Sequence, residues 1–375
     1  MQSYTIYKVS EFLKDRHPYI PSRVERPLLD PEQVAVAYNE RAIPKLADLL
    51  TYTDLTSQKR IETLQTLNEL VSHQETKAEM IRHNIVLSAT NLIADDNEEV
   101  RCQAAKLVGS LFFLDIGRSQ FDMREGNYTI IQNLILDKVV KVRECVGWML
   151  CRLSVHKDGI AMMYKSGTII KIVEAFNKFS FLLIEDNYKF LFYLLDAMMN
   201  LSMYDFGIRH MLNKGLLKTF NTILSDKEFY YLKNLTDVIY EQMRELILNT
   251  LKNIVLIDEA KVEAMNEGLI ETVSNFLNST IEIERFTSSS FMMSMANNLD
   301  AKRKICNHFD KNGSRFETLE KLCVLLEDKN EDVKSNSILA LKLLSQFPAG
   351  FLMIVDILHD KLKLLDEVNR ILNHF

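Results

Sequence analysis

The stretch NIVLSATNLIADDNEEVRCQAAKLVGSLFFL (84–114) decides the fold. Its first half reads as a helix that stops at the acidic turn Asp95-Asp96-Asn97. Its second half places Val100, Ala104, Leu107, Val108 and Leu111 at the spacing of the buried stripe of an amphipathic helix. The same stripe returns at Val142, Val146, Met149, Leu150 and Leu153, and again at Val333, Ser337, Ala340, Leu341 and Leu344. Registering each such helix on an apolar residue near its end gives Leu70, Leu111, Leu153, Leu201, Ile254, Met295 and Leu344, at intervals of 41, 42, 48, 53, 41 and 49 residues. A second spacing is tighter. Fourteen residues after Leu70, Leu153, Leu201 and Ile254 stand the turn residues Asn84, Gly167, Gly215 and Gly268, each opening a new apolar run. Such a pattern, repeating every 40 to 50 residues, is the sequence signature of a helical solenoid.

A short helix precedes each turn residue, as in DFGIRHMLNKG (205–215) and EAKVEAMNEG (259–268), and completes a three-helix unit of the armadillo type. The expected fold is therefore all-α, a right-handed superhelical armadillo solenoid of about seven units. No unit can bury its stripe alone, so stability comes from neighbouring units and from caps. Four of the six prolines, Pro18, Pro21, Pro27 and Pro31, lie in the first 31 residues, which predicts an extended N-terminal arm over 1–30. Armadillo repeats are expected over 31–347. Residues 348–375 are expected to form capping helices with an apolar face at Leu352, Val355, Leu358, Leu362 and Leu365.

Composition removes several function classes. No stretch reaches the 18 or so apolar residues of a membrane span, and the N-terminus lacks a basic region followed by an apolar core, so neither a membrane role nor secretion is expected. The net charge of −6, with both signs interspersed, argues against nucleic acid as a partner. Lys302-Arg303-Lys304 is the one dense basic cluster and reads as a solvated helix start. Cys102, Cys145, Cys151, Cys306 and Cys323 follow no CxxC spacing and read as reduced core thiols. Asn-x-Ser/Thr triplets at Asn200 and Asn234 fall in or near helices and carry no weight as glycosylation sites. Phosphate-loop, dinucleotide, HExxH and EF-hand patterns are missing, and Cys306-x-His308 has no second pair at zinc spacing. His73, His83, His156 and His210 fall at unit boundaries and read as helix-end or surface residues. Neither a cofactor, a metal, a small-molecule substrate nor an enzymatic activity is expected.

The surface is then the place to look. In peptide-binding armadillo proteins the last helix of successive units carries a ladder of asparagines, each with a tryptophan one turn earlier. Here the ladder positions are Glu69, Ser110, Arg152, Asn200, Asn253, Ser294 and Leu343, and the positions one turn before are Gln65, Lys106, Trp148, Asp196, Asn249, Ser290 and Leu339. Only two ladder positions are asparagine, so general recognition of basic peptides is not expected. A local patch of Trp148, Arg152, Asp196, Asn200, Asn249 and Asn253 is the candidate partner-binding site, weighed against a merely solvated polar face. Two units carry extra length between their last two helices, at 177–189 and 225–242. The first includes Phe179, and the second adds Phe229, Tyr230 and Tyr231 as candidate anchors, weighed against residues that cover the local core.

The segment RPLLDPEQVAVAYNERAIPKLADLL (26–50), a proline-rich lead-in followed by armadillo units, resembles the start of the radial spoke protein 14 family, also called the rhabdoid tumour deletion region protein. The likeness rests on Pro31, Ala35, Val36, Ala37, Arg41, Ala42, Pro44, Lys45 and Leu46. It implies a structural subunit of the axonemal radial spoke of motile cilia, in the cytoskeleton, with other radial spoke proteins as partners in a large assembly. The alternative is a soluble cytosolic armadillo adaptor or transport receptor that binds a peptide segment in its concave groove.

Overall fold

A computed structural model describes residues 42–52, 55–124, 126–180, 187–212, 214–225, 237–307 and 317–359. The chain divides into two units, Met1–Lys45 and Leu46–Phe375. The second is the repeat array. Its longest helices, one per repeat, are Ser57–Leu70, Glu98–Leu111, Val140–Ser154, Tyr188–Leu201, Asp237–Ile254, Glu282–Met295 and Glu331–Ser345. Each packs against the next, so these third helices form one continuous layer. Two shorter helices precede each of the last six, for example Asp115–Asp122 and Gly126–Leu134, or Lys157–Lys165 and Thr168–Ser180. Among the described residues there is no strand, and the array is an all-α solenoid. The expected stripes are its core: Val100, Ala104, Leu107, Val108 and Leu111 are fully buried, as are Val142, Val146, Met149, Leu150 and Leu153.

The turn residues have a backbone reason. Asn84, Gly167, Gly215 and Gly268 have φ of 56°, 74°, 70° and 79°, and among the described residues no other position has positive φ. Each ends a first helix in the left-handed region and turns the chain into the second, a conformation that favours Gly or Asn. A second spacing escapes the hydrophobic pattern. Six residues after Leu111, Leu153, Leu201 and Leu344 stand Gly117, Gly159, Gly207 and Gly350. A Cβ there would sit 2.3, 2.1, 2.2 and 2.5 Å from the carbonyl oxygen of the corresponding leucine. The entry of each first helix is thus pressed against the end of the preceding third helix. Thr76, at the equivalent place after Leu70, donates its hydroxyl to the Leu70 carbonyl at 2.5 Å.

Neighbouring repeats are also joined by polar side chains. Arginines one turn into the third helices reach the acidic turn of the next repeat: Arg60 to Asp95 at 2.7 Å, Arg101 to Asp137 at 3.1 Å and Arg285 to Asp328 at 2.6 Å. Arg101 and Arg285 also donate to carbonyls of their own turn, Asp95 and Ser279. Arg143 follows the same plan with a neutral partner, Asn187 Oδ1 at 2.5 Å, and stacks 4.5 Å over the Phe179 ring. On the second helices, Gln132, Asn177 and Asn221 donate to the carbonyls of Ser166, Lys214 and Glu267, each one residue before a left-handed glycine of the next repeat.

Two expectations are corrected here, and the choice left open at Phe179 falls on the core side. Cys102 and Cys145 do not sit as separate thiols: they lie on facing sides of adjacent third helices with Cα atoms 5.5 Å apart and are joined as a disulfide. Cys151, Cys306 and Cys323 are buried. Phe179 does not project, because its ring packs edge-on against Phe190 at 5.6 Å in the core. In the helix Pro348–His359 the buried face is Ile354 and Leu358, while Leu352 is exposed. Gly350 sets that phase by closing on the Leu344 carbonyl, which turns Leu352 outward. The arm at 1–30, the face residues Leu362 and Leu365, and the candidate anchors Phe229, Tyr230 and Tyr231 lie outside the described residues.

Candidate functional site

Trp148 and Arg152 lie one turn apart on the helix Val140–Ser154, with the Arg152 guanidinium 5.2 Å from the indole ring. The indole lies on Gly109 of the preceding third helix, where a Cβ would fall 2.6 Å from the ring. Gly109 is therefore the residue that lets the tryptophan lie flat between repeats. Together they form one side of a pocket of about 430 Å³, whose further lining includes Asn68, Ser110, Phe113, Val155, His156 and Lys77. A second cation–aromatic pair lies in it, with Lys77 Nζ 4.6 Å from the Phe113 ring centre.

The electrostatics are one-sided. Among the described residues no Asp or Glu lines the pocket. Burial, with the nearby Arg118 charge adding to it, holds His156 below the ordinary imidazole value, so the standing positive charges are Lys77 and Arg152. Apolar and aromatic surface beside two cations suits a carboxylate carried next to an apolar group.

The other candidate residues lie along the same helix layer but are committed elsewhere. Asn200 and Asn253 do not face solvent, as either reading of the patch requires; both are half-buried and turned to the preceding repeat. Asn200 Nδ2 donates to Ser154 Oγ at 3.0 Å, and Asn253 Nδ2 donates to Ser202 Oγ at 2.9 Å. These serines are buried at the ends of third helices and already donate to the Cys151 and Met199 carbonyls, so each asparagine amide supplies the donor that the hydroxyl oxygen can still accept. Asp196 accepts from the Cys151 thiol at 2.9 Å. Burial, reinforced by that carboxylate, pushes the thiol far above its ordinary value and makes it a poor nucleophile. Asn249 is half-buried one turn before Asn253. The structure thus brings Trp148 and Arg152 into a pocket and leaves Asp196, Asn200, Asn249 and Asn253 outside it.

Lys77, Phe113 and Val155 were missed by the sequence reading. Lys77 lies on a first helix, and the other two lie in turns, so a search confined to third-helix positions passes over them. The basic cluster, by contrast, is spoken for: Lys302 donates to Gln346 at 3.0 Å, Lys304 to the Met265 carbonyl at 2.6 Å, and Arg303 pairs with Asp300. His73 and His156 stand immediately before first helices, and His83 caps the end of one. His210 packs 4.5 Å from Tyr164. Among the described residues no group of three or more His, Cys, Asp or Glu is placed to hold a metal ion, and no helix is long and apolar enough to cross a membrane.

No protein-family model matches the chain, and no curated protein matches it in sequence. Among solved structures it is similar to the crystal structure of an engineered protein at 18% identity, over 84% of this chain and 71% of that one, with a TM-score of 0.68. A second engineered protein matches at 16% identity over 70% of this chain and 97% of its own, with a TM-score of 0.57. A designed armadillo repeat protein is less alike, at 15% identity, 80% and 99% coverage and a TM-score of 0.47. At these identities the likeness is one of fold.

Proposed function

We propose that this chain is a non-enzymatic, protein-binding scaffold, and specifically a structural subunit of the axonemal radial spoke in motile cilia. The observation that supports binding is the solvent-open pocket of Trp148, Arg152, Phe113 and Lys77, built across successive repeats and bearing charge of one sign. A nucleophile paired with a base is not what the nearby chemistry offers, since the Cys151 thiol is tied to Asp196. The spoke assignment rests on the resemblance carried by residues 26–50. Its partners are then other spoke proteins, and its location is the axoneme.

Salt extraction of axonemes from ciliated cells expressing the tagged chain tests this. Retention in stoichiometric amount with the doublets is expected. A freely soluble pool would overturn the spoke assignment and favour a cytosolic adaptor that exchanges its peptide.

A further inference from the structure

Two residues past each registered third-helix end lies a turn position that the spacing analysis does not use. From the first repeat to the seventh it holds Ser72, Phe113, Val155, Met203, Leu256, Asn297 and Gln346. The four in the middle are all large and apolar, and all are out in solvent: 58%, 58%, 68% and 65% exposed. Each sits in the same turn, because the residue six past the helix end, Gly117, Gly159, Gly207 or Ala260, lies pressed into the core beneath it. The repeat therefore places the four side chains in register along one edge of the third-helix layer. Scattered exposed apolar residues need no explanation, but an aligned run bounded by polar residues at both ends does.

The asparagines that fail as a ligand ladder bear on this row. Asn253 reaches back to Ser202 and also lies 3.3 Å from the Met203 sulfur, and Asn200 fixes Ser154, the neighbour of Val155. They hold the turns that display the row. At its N-terminal end the row enters the pocket, whose lining includes Phe113 and Val155 together with the cations Lys77 and Arg152.

We infer that this edge docks an amphipathic helix of a partner protein, carrying one apolar residue in every seven along the row and a carboxylate at the end that meets Lys77 and Arg152. Stacked helices stand roughly 10 Å apart, and an α-helix advances about 10.5 Å in seven residues, so such a partner meets every rung with one face. An extended strand covers that distance in about three residues and would turn alternate rungs to its opposite face. The charge complementarity sets the polarity of the partner: cations without a lining carboxylate call for acid.

This inference rests on the reading of the chain as a protein-binding scaffold but not on its location, so an in-vitro test separates the two. Three displayed peptide libraries are selected on the full chain: helical heptads with acidic ends, the same heptads with basic ends, and proline-rich segments. Enrichment of the acidic heptads is expected. A synthetic peptide of the enriched sequence should then bind at least tenfold more weakly to Met203→Asp/Leu256→Asp and to Arg152→Glu, with helicity by circular dichroism unchanged. Enrichment of the basic or proline-rich library, no enrichment at all, or equal binding to the variants would overturn the inference. So would loss of self-association in Met203→Asp/Leu256→Asp without peptide selection, which would assign the row to a second copy of the chain. Absence from axonemes with peptide binding intact would count against the spoke assignment alone.

Discussion

At the N-terminal ends of the third helices, arginines cross from repeat to repeat and end on carboxylates: Arg60 on Asp95, Arg101 on Asp137, Arg244 on Glu284, Arg285 on Asp328. At the C-terminal ends of the same helices, Phe113, Val155, Met203 and Leu256 stand uncovered. The first edge uses directional, paired groups that satisfy one another inside the chain. The second leaves apolar area largely in solvent, above turns that the backbone has already fixed. One repeat thus separates two tasks, holding its neighbour at one end of a helix and presenting surface at the other. Substitutions at the two edges should therefore part company.

The largest effect is expected at the held edge. Asp328 is nearly buried, accepts from Arg285 and caps the backbone N–H of Asn330, so Asp328→Ala leaves a shielded guanidinium without its charge partner. A loss of about 3 kcal/mol in urea unfolding is expected. Acid should reveal the same edge. The hydrogen bond from Arg285 holds Asp328 below its ordinary value, as the one from Lys141 does for Glu99. A depressed carboxylate contributes stability above its unfolded pKa of about 4, and this is lost as pH falls through the lower folded value. The unfolding midpoint should drop below about pH 4, and Asp328→Asn should flatten that drop.

Smaller effects belong to the other edge. Asn200→Ala removes the amide that donates to the buried Ser154 hydroxyl, which keeps its own bond to the Cys151 carbonyl, and should cost about 1 kcal/mol, measured by thermal unfolding. That outcome would confirm the amide as a brace between repeats; a variant that kept full stability yet bound no peptide would return it to the ligand ladder. Met203→Asp/Leu256→Asp should change stability by no more than about 0.5 kcal/mol, because both side chains already meet water.

Much of this architecture was legible because it depends on local spacing. The fourteen-residue interval located Asn84, Gly167, Gly215 and Gly268, and each takes the left-handed conformation that only a few residue types adopt readily. The six-residue interval was hidden because Thr76, Ala260 and Ala301 stand where other repeats have glycine, so the position reads as merely small. The arginine pairs were hidden for a different reason: their partners lie some 35 to 43 residues apart, and unequal repeat lengths erase any constant offset. The candidate site was half legible. Third-helix register found Trp148 and Arg152, but it assumed that a ladder asparagine faces a ligand, when the nearest acceptor was a buried serine of the preceding repeat.

The division of labour between the two edges is tested most directly by one urea titration series on the wild-type chain, Asp328→Ala and Met203→Asp/Leu256→Asp. The account predicts a clearly lower midpoint for the first variant and a wild-type midpoint for the second. Equal loss in both, or loss only in the second, would contradict it.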